Sequence, residues 1–297
     1  MLDRFFVYTS LLGTHSFFLI FLPMAFWLGS TSFARGLVNV LAFGVYFSSA
    51  IKDWLCVPRP YSPPVTRLTI GTHHLEYGFL STHSTNAVSI ALYLYLWVVS
   101  AREQYEAGGV WGSYFWEIGL LAYVFSVVYG RIYAGMHSMM DCLAGSLLGF
   151  GITLVQWKVF EWQELALARD DWTAPFVIIP VGLLLVSVHP QPLEDCPCFE
   201  DAIAFVAVSM GVMTGRWTET KAGLLPTNEG PLGKVNLARL STATRLLPPR
   251  WGNVASAFES ALDSAVHPFN SMFQIRRDAP SLFGRIAASV AIMIFGE

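Results

Sequence analysis

The sequence predicts an all-α, polytopic membrane protein, and two observations carry this fold class. First, 54% of the 297 residues are hydrophobic, 13% are charged, and the mean hydropathy is +0.49. Soluble domains usually carry about 25% charged residues, so this composition is typical of a chain that contacts lipid. Second, the run from Phe5 to Ala34 contains no Lys, Arg, Asp or Glu. We interpret this run as a retained membrane helix, because it lacks the basic n-region and Ala-x-Ala site of a cleaved signal peptide.

Seven apolar stretches are candidates for membrane helices, each of which needs roughly 20 mostly apolar residues. In chain order they cover residues 11–30, 36–52, 84–100, 115–134, 139–158, 173–189 and 201–216. The connector 53–83 contains Pro58, Pro60, Pro63 and Pro64, so we expect a structured loop there rather than a helix. Residues 1–216 are therefore predicted to form a membrane-embedded core of about seven helices.

The remainder of the chain differs in kind, because residues 217–282 are polar and interrupted by Pro and Gly. Within them, apolar residues recur at helical spacing at Ala255, Phe258, Leu262 and Val266. This pattern favours a short amphipathic helix on the membrane about as much as a loosely ordered tail. Residues 283–297 include an apolar run, Ile286 to Gly296, that is too short to span. We expect it to lie at the interface or to be the first part of an eighth helix that the sequence cuts short.

The distribution of basic residues predicts the orientation of the helices. If seven helices alternate, the loops 53–83, 131–138 and 190–200 share one face, and the last loop has no Lys or Arg. The other face carries nine of the 18 basic residues in the tail from Arg216 to Arg285, together with Arg35, Arg102, Lys158 and Arg169. We therefore expect the tail in the cytoplasm and the three loops on the luminal or external face.

Charged residues interrupt the apolar pattern in three short stretches on that face. GRIYAGMHSMMD contains Arg131, His137 and Asp141, KDWLCVPRP contains Lys52 and Arg59, and GFLSTHS contains Ser81, Thr82 and His83. Ionisable residues in membrane helices are costly, so function is the first hypothesis for them. His137 and Asp141 are four apart, which predicts contact on one helix face and a carboxylate that fixes the imidazole tautomer. For these two residues alone, a structural His–Asp pair is the alternative.

The three cations indicate what this face binds. Lys52, Arg59 and Arg131 supply fixed positive charge and many donors, which suits the oxygens of a phosphate. The start of the third helix adds backbone N–H groups and a favourable dipole. A lone basic residue near a helix end is usually snorkelling, but three of them beside two histidines and a carboxylate predict a phosphate site. No basic block with interleaved aromatic residues indicates nucleic acid.

The spacing Lys-x6-Arg-Pro, Ser-x-His and Arg-x5-His-x3-Asp resembles the signature of the phosphatidic acid phosphatase type 2 superfamily. Within it, LGTHSFF, GRIYAGMHSMMDCLAG and CPCFEDAIAF are most similar to the fungal sphingoid long-chain-base phosphate phosphatases, relatives of sphingosine-1-phosphate phosphatase. The resemblance covers residues 8–216 and implies the helical core of that superfamily. Two departures stand out: the family's Pro-Ser-Gly-His appears as Leu80 to His83, and its Ser-Arg appears as Gly130 and Arg131. We expect them to adjust phosphate binding rather than abolish it.

The resemblance also implies an activity, namely hydrolysis of a sphingoid base 1-phosphate to the free base and phosphate without a metal or other cofactor. In this mechanism His137 attacks phosphorus and forms a phosphohistidine, Asp141 orients it, and His83 protonates the departing alkoxide. The phosphate-binding residues implied are Lys52, Arg59, Arg131, Ser81 and Thr82. We expect an endoplasmic reticulum membrane protein with a luminal active site, and lipid phosphate and membrane lipids as its partners.

The substrate end of the site is less defined than the phosphate end. A sphingoid base phosphate carries an ammonium group near its phosphate, and Glu76 and Asp53 are the two carboxylates on the correct face. We rank Glu76 first, because Asp53 follows Lys52 directly and is open to neutralisation by it. Two alternatives stay open: a phosphatase of another substrate (phosphatidic acid, a polyprenyl diphosphate or a sugar phosphate), and a non-catalytic transporter or scaffold. The complete set of catalytic residues favours an enzyme.

Metal binding is not favoured at a further histidine stretch, and His15 and His189 are expected to be structural. His73, His74 and Glu76 form the stretch HHLE, but adjacent histidines diverge in a helix or strand, so metal ligation is not favoured. His15 and His189 stand alone at helix positions.

The four cysteines, Cys56, Cys142, Cys196 and Cys198, are too few for a disulfide-dense scaffold. Cys196 and Cys198 lie in the luminal loop and are open to oxidation, with Cys56 as a further partner. We expect a structural role for them rather than a catalytic one.

Overall fold

The computed structural model describes residues 2–28, 31–61, 67–68, 76–105, 115–169, 171–192 and 196–222. These residues form eight α-helices and one 3-10 turn, Leu11–Gly13, and contain no β-strand. The helices are α1 Leu2–Ser10, α2 His15–Leu28, α3 Thr31–Leu55, α4 Thr82–Tyr105, α5 Phe115–Tyr133, α6 Met139–Leu167, α7 Thr173–Val188 and α8 Pro197–Lys221. The all-α prediction is confirmed. The expected amphipathic helix near 255–266, the segment 283–297 and the pair His73 and His74 lie outside the described residues.

Each of the seven predicted apolar stretches is helical, and α1 adds one helix that was not predicted. Four helices are long and apolar enough to cross a membrane, namely α3, α5, α6 and α8. Helix α7 is apolar but has 16 residues. Large apolar side chains such as Leu121, Leu147 and Phe176 are exposed on α5, α6 and α7, where lipid would cover them. The chain is therefore a multi-pass membrane protein, while the number of seven crossings remains a prediction.

Helix α4 is surrounded by α3, α5 and α6. Its first two turns bury small polar side chains, Ser84, Thr85, Asn86 and Ser89. These side chains face other helices, because hydroxyl and amide groups in contact with lipid would lose their hydrogen bonds. This explains why α4, with 24 residues, is less apolar than its neighbours.

Two glycines let α4 and α6 approach closely. Gly145 and Gly149 are one turn apart on α6, and a Cβ added at Gly145 would lie 2.5 Å from the carbonyl oxygen of Ser81. From α4, Thr85 Oγ1 donates to the Gly145 carbonyl at 3.0 Å, and Ser89 Oγ donates to the Gly149 carbonyl at 3.2 Å. Small residues four apart, with hydroxyl groups bonding across the contact, are a common basis for association of membrane helices. The contact fixes the start of α4 against the start of α6.

A buried ion pair joins α3 and α6 at the opposite end of the helices. Arg35 donates from Nε to Glu164 Oε1 at 2.8 Å and from Nη2 to Oε2. Arg216 on α8 approaches the same carboxylate, with its Nε 3.9 Å from Oε2. All three side chains are buried, although Arg35 reads in the sequence as an ordinary cytoplasmic basic residue. The Glu164 carboxylate of α6 is therefore close to one cation from α3 and one from α8.

Candidate active site

The predicted site residues meet where α3 and α5 end and where α4 and α6 begin. Three of the four helix ends contribute a cation or a histidine: Lys52 lies in the last turn of α3, His83 in the first turn of α4 and Arg131 in the last turn of α5. Arg59 and His137 lie in the loops that follow α3 and precede α6. All five side chains are buried.

Glu76 lies between two of the cations. Lys52 Nζ is 2.6 Å from Glu76 Oε2, and Arg59 Nη2 is 3.6 Å from the same oxygen. Arg59 Nε also donates to the backbone carbonyl of Glu76 at 2.7 Å. The reason for ranking Glu76 ahead of Asp53 as an amine-binding residue is therefore wrong: Lys52 neutralises Glu76, and Asp53 faces Cys196 and Cys198 instead.

His137 is held by one backbone carbonyl and by an arginine. Its Nδ1 lies 2.8 Å from the carbonyl oxygen of Gly78. Because a carbonyl can only accept, Nδ1 carries the hydrogen and Nε2 carries the lone pair. Arg59 Nη1 donates to that lone pair at 3.2 Å and to the carbonyl of Met136 at 2.9 Å. The imidazole thus presents an unprotonated Nε2 toward the cations.

The surroundings also keep this imidazole neutral. Burial lowers the pKa of His137 well below its ordinary value near 6.5, and the charges of Arg59, Lys52 and Arg131 lower it further. The hydrogen bond to the Gly78 carbonyl opposes the decrease but does not outweigh it. A neutral imidazole is the form that can act as a nucleophile.

Gly78 is the residue that aims the carbonyl at His137, and the sequence pattern did not single it out. Its N–H donates to the Val57 carbonyl at 2.7 Å, and an added Cβ would lie 2.7 Å from the carbonyl oxygen of Pro58. Two backbone segments therefore pass each other here at a distance that only glycine permits. A glycine next to a proline-rich loop is the sequence signal that points to such a contact.

Asp141 caps α6 and lies near His137, but the two residues do not share a helix face. Helix α6 begins at Met139, with Ser138 as its N-cap, so His137 precedes the helix. Asp141 Oδ2 accepts from the Ser138 N–H at 2.6 Å, and Ser138 Oγ accepts from the Asp141 N–H at 3.2 Å. This capping box leaves Asp141 Oδ2 4.0 Å from His137 Nδ1. The expected hydrogen bond to the imidazole is made by the Gly78 carbonyl instead.

The remaining phosphate-binding candidates differ in whether their polar groups already take part in hydrogen bonds. Arg131 is buried, and its Nε has no hydrogen-bond partner among the described residues. Ser81 Oγ accepts from the N–H and the hydroxyl of Ser84, and Thr82 Oγ1 accepts from Ser48 Oγ at 3.2 Å. Arg131 is therefore the predicted residue with the clearest unused donor.

A small cavity adjoins the cations. Lys52, Glu76, Thr82 and His83 line one part of it, and Cys198 and Asp201 from α8 line another. Gly13 packs on the His83 ring, since a Cβ there would lie 2.9 Å from His83 Cδ2. The contribution of the 3-10 turn and of Asp201 was not predicted, because no spacing rule relates these distant segments.

Comparison with known proteins agrees with this arrangement. Residues 33–165 match the family model of the PAP2 superfamily, and this segment contains all the predicted catalytic and phosphate-binding residues. Residues 33–165 belong to the PAP2 superfamily, which confirms the superfamily resemblance seen in the sequence.

Several curated proteins are similar over most of this chain. A dihydrosphingosine 1-phosphate phosphatase from Schizosaccharomyces pombe is 39% identical over 218 residues, which are 73% of this chain and 52% of that protein. A dihydrosphingosine 1-phosphate phosphatase from Saccharomyces cerevisiae is 35% identical over 74% of this chain and 54% of its own length. Sphingosine-1-phosphate phosphatase 2 from Mus musculus is 31% identical over 71% and 57%. The chain spans about half the length of these relatives. No solved structure matches it significantly.

Proposed function

We propose that this chain is an integral-membrane phosphatase that hydrolyses sphingoid long-chain-base 1-phosphates to the free base and phosphate, as part of sphingolipid metabolism. The observation that carries the proposal is the state of His137: a buried, neutral imidazole whose Nε2 faces Arg59 while Nδ1 donates to Gly78. The relatives named as phosphatases of dihydrosphingosine and sphingosine 1-phosphates support the substrate class.

In the first step, Arg59 Nη1 moves from His137 Nε2 to a phosphate oxygen, and the lone pair that it leaves on Nε2 attacks phosphorus. A nitrogen–phosphorus bond forms as the bond between phosphorus and the lipid oxygen breaks, and the lipid oxygen leaves with the electron pair. An alkoxide is a poor leaving group, so it takes a proton from His83, which begins the cycle protonated. The Gly78 carbonyl stabilises the positive charge that develops on the ring, because it accepts from Nδ1.

In the second step, His83 is neutral and removes a proton from water. The water oxygen attacks the phosphohistidine, and the electrons of the nitrogen–phosphorus bond return to Nε2. Inorganic phosphate then leaves, with His137 neutral and His83 protonated as at the start. Asp141 serves this cycle indirectly, because its capping box fixes the turn from which His137 projects.

Lys52, Arg59 and Arg131 stabilise the charge on the three equatorial phosphate oxygens, and Ser81 and Thr82 add hydroxyl groups at the start of α4. With this much fixed positive charge, no metal is needed at the reacting phosphorus. Arg131 has an unused buried donor for this purpose, whereas Lys52 and Arg59 are engaged by Glu76. A bound phosphate therefore has to take over two cations from a carboxylate.

This exchange of partners gives Glu76 a role in substrate choice. When phosphate displaces it from Lys52 and Arg59, Glu76 becomes a carboxylate without a cation beside the phosphate site. The ammonium group of a sphingoid base phosphate lies close to its phosphate and can replace the lost cation. Phosphatidic acid has no ammonium group and brings two acyl chains, so it offers Glu76 no cation in exchange for Lys52 and Arg59.

The decisive experiment measures phosphate release by the purified full chain from a panel of lipid phosphates. Dihydrosphingosine and phytosphingosine 1-phosphates should be hydrolysed with a kcat/KM at least roughly tenfold above that for phosphatidic acid, about 1.4 kcal/mol in transition-state binding. Equal rates on both lipid classes would reject the sphingoid specificity. No release from any lipid phosphate would favour a non-catalytic transporter or scaffold.

We further propose that the protein resides in the endoplasmic reticulum membrane with this site on the luminal face. The acidic loop 190–200 and the basic tail support this orientation by the distribution of charge. Substrate would then enter from the luminal leaflet.

A further inference from the structure

A second group of reactive side chains lies beside the phosphate site and takes no part in the proposed chemistry. Asp53 is in the last turn of α3, Cys196 is the N-cap of α8, and Cys198 follows in the first turn of α8. One carboxylate oxygen and the two Sγ atoms all lie within 4.8 Å of one another. The three residues are 2%, 7% and 3% exposed. Three groups of metal-ligand type thus converge in the protein interior.

The carboxylate of Asp53 is not satisfied by the described residues. Both of its oxygens are buried and have no hydrogen bond of good geometry to the described residues, and the Cys196 thiol beside them is only a weak donor. The neighbouring cations are engaged elsewhere, because Lys52 pairs with Glu76 at 2.6 Å. His189 Nδ1 lies 3.9 Å from Asp53 Oδ2 but donates to the Pro190 carbonyl at 2.9 Å. A buried carboxylate without strong hydrogen bonds or a paired cation destabilises the folded protein. A cation bound between this carboxylate and the two thiols would offset that destabilisation.

The ligand chemistry selects among cations. Two sulfur atoms exclude calcium and magnesium, which prefer oxygen, while a carboxylate oxygen fits zinc better than the softer copper(I). Zinc bonds of about 2.3 Å to sulfur and about 2.0–2.2 Å to oxygen place neighbouring ligand atoms roughly 3.5 Å apart in a tetrahedron. The observed separations within 4.8 Å need only small side-chain rotations to reach that geometry.

His189 lies beside this group, with its Nδ1 3.9 Å from Asp53 Oδ2, and its ring has to turn for Nε2 to complete a tetrahedral set. Its Nε2 is buried and has no hydrogen-bond partner among the described residues, while Nδ1 donates to a backbone carbonyl. A metal-binding histidine commonly shows this arrangement, because the carbonyl fixes the tautomer that leaves the other nitrogen available. The rings of Tyr46 and Phe199 pack against it at 5.3 and 5.2 Å between centroids.

We propose that Asp53, Cys196 and Cys198 bind a structural zinc ion, and that His189 turns its ring to supply the fourth ligand. The ion joins the last turn of α3 to the first turn of α8. Since Asp53 follows Lys52 directly, the ion also restrains the turn that carries a phosphate-binding cation. It has no part in the attack on phosphorus, so the site is independent of the proposed phosphatase function.

The test measures zinc in the full chain, purified in detergent under reducing conditions without chelators. Elemental analysis should find about one zinc ion per chain, the stoichiometry of a single structural site. Cys196→Ser and Cys198→Ser should each reduce the content at least roughly tenfold, because a lost thiolate removes one of the tetrahedral ligands. Cys56→Ser, which changes a cysteine outside the cluster in the same region, should retain the ion. X-ray absorption at the zinc edge of the unaltered protein should show two sulfur neighbours near about 2.3 Å, a result that does not depend on any variant folding.

Three results would overturn the proposal: no zinc retained after incubation with excess zinc and dialysis, zinc without sulfur neighbours, or a disulfide between Cys196 and Cys198 in freshly reduced, zinc-treated protein. The variant His137→Ala tests the zinc proposal separately from the phosphatase proposal. It should lose phosphate release and keep its zinc, so a failure of either proposal is visible without the other.

Discussion

Replacement of His137 tests whether its Nε2 atom is the nucleophile. His137→Ala should reduce phosphate release to background, because it removes the only attacking nitrogen in the proposed mechanism. His83→Ala should be nearly as inactive, since the lipid alkoxide would leave without a proton. Both variants should retain the helical circular dichroism spectrum of the parent protein. Substantial phosphate release by purified His137→Ala would assign the attack to another group.

The same residue makes a prediction about stability and pH. The pKa of His137 in the folded protein is lowered by burial and nearby cations, whereas the unfolded chain has the ordinary value near 6.5. Below about pH 6.5 the unfolded state therefore binds a proton that the folded state does not, and stability falls by up to about 1.4 kcal/mol per pH unit from this group. His137→Gln removes this penalty.

Thermal unfolding of the parent protein and His137→Gln between pH 5 and 8 measures the effect. The difference in Tm should be constant above about pH 7.5 and shift in favour of the variant as the pH falls below about 6.5. A difference that does not vary with pH would mean that the imidazole is charged in the folded protein or has an unshifted pKa.

Glu76 is the residue whose replacement separates the two lipid classes. Glu76→Gln should lower kcat/KM for dihydrosphingosine 1-phosphate more than for phosphatidic acid, because only the first substrate offers an ammonium group to the carboxylate. The preference should shrink by at least roughly threefold, about 0.6 kcal/mol. Glu200→Gln is the matched control, since Glu200 is exposed at the start of α8. An undiminished preference would remove Glu76 from substrate recognition.

At the scale of secondary structure, the start of α6 shows what sequence spacing can and cannot predict. The residues of the charged stretch were correctly placed near a helix boundary, because apolar periodicity ends there. The four-residue spacing of His137 and Asp141 did not give a shared helix face, because Ser138 is the N-cap and the helix begins after His137. A Ser with Asp three positions later is itself a capping signal, and here it competes with the helical interpretation.

The ion pair between α3 and α6 makes a prediction at this scale. Glu164→Ala should lower the free energy of unfolding by about 3–5 kcal/mol, because it leaves Arg35 buried without its anion and Arg216 without its nearest carboxylate. Glu161→Ala, an exposed position on the same helix, should have little effect. Thermal unfolding in detergent compares them. Equal loss of stability in both variants would show that the pair contributes little.

For the molecule as a whole, the sidedness of the membrane is the testable property. The sequence contains no Asn-x-Ser/Thr site, so an engineered one reports its own location. A site introduced in 190–200 should be glycosylated and one near residue 230 should not, because the basic tail is expected on the cytoplasmic side. Sensitivity to a glycosidase gives the measurement. The reverse pattern would place the candidate site in the cytoplasm.

The sequence identifies the fold and most of the candidate site for a physical reason. Charge is so costly in lipid that each of Lys52, Arg131 and His137 is visible against an apolar background. The spacing of residues in the sequence does not show which loop residues come into contact. The contact of Glu76 with Lys52 and the carbonyl of Gly78 at His137 both depend on the path of the 56–81 segment. The zinc ligands were likewise visible only as separate residues, because α3 and α8 meet across more than 140 positions of chain.

Glu76, whose carboxylate pairs with Lys52 and Arg59, also affects the last step of the proposed catalytic cycle, the release of phosphate. Three cations in a buried site would hold inorganic phosphate firmly, and a retained product blocks the next lipid. Glu76 competes with phosphate for Lys52 and Arg59. The apparent affinity of the site for any phosphate species is therefore reduced in proportion to the fraction of molecules in which Glu76 is not bound to these two cations. Weakening that is common to substrate and transition state leaves kcat unchanged. In the proposed cycle, once water has cleaved the phosphohistidine, Glu76 regains Lys52 and Arg59 and thereby favours the release of phosphate.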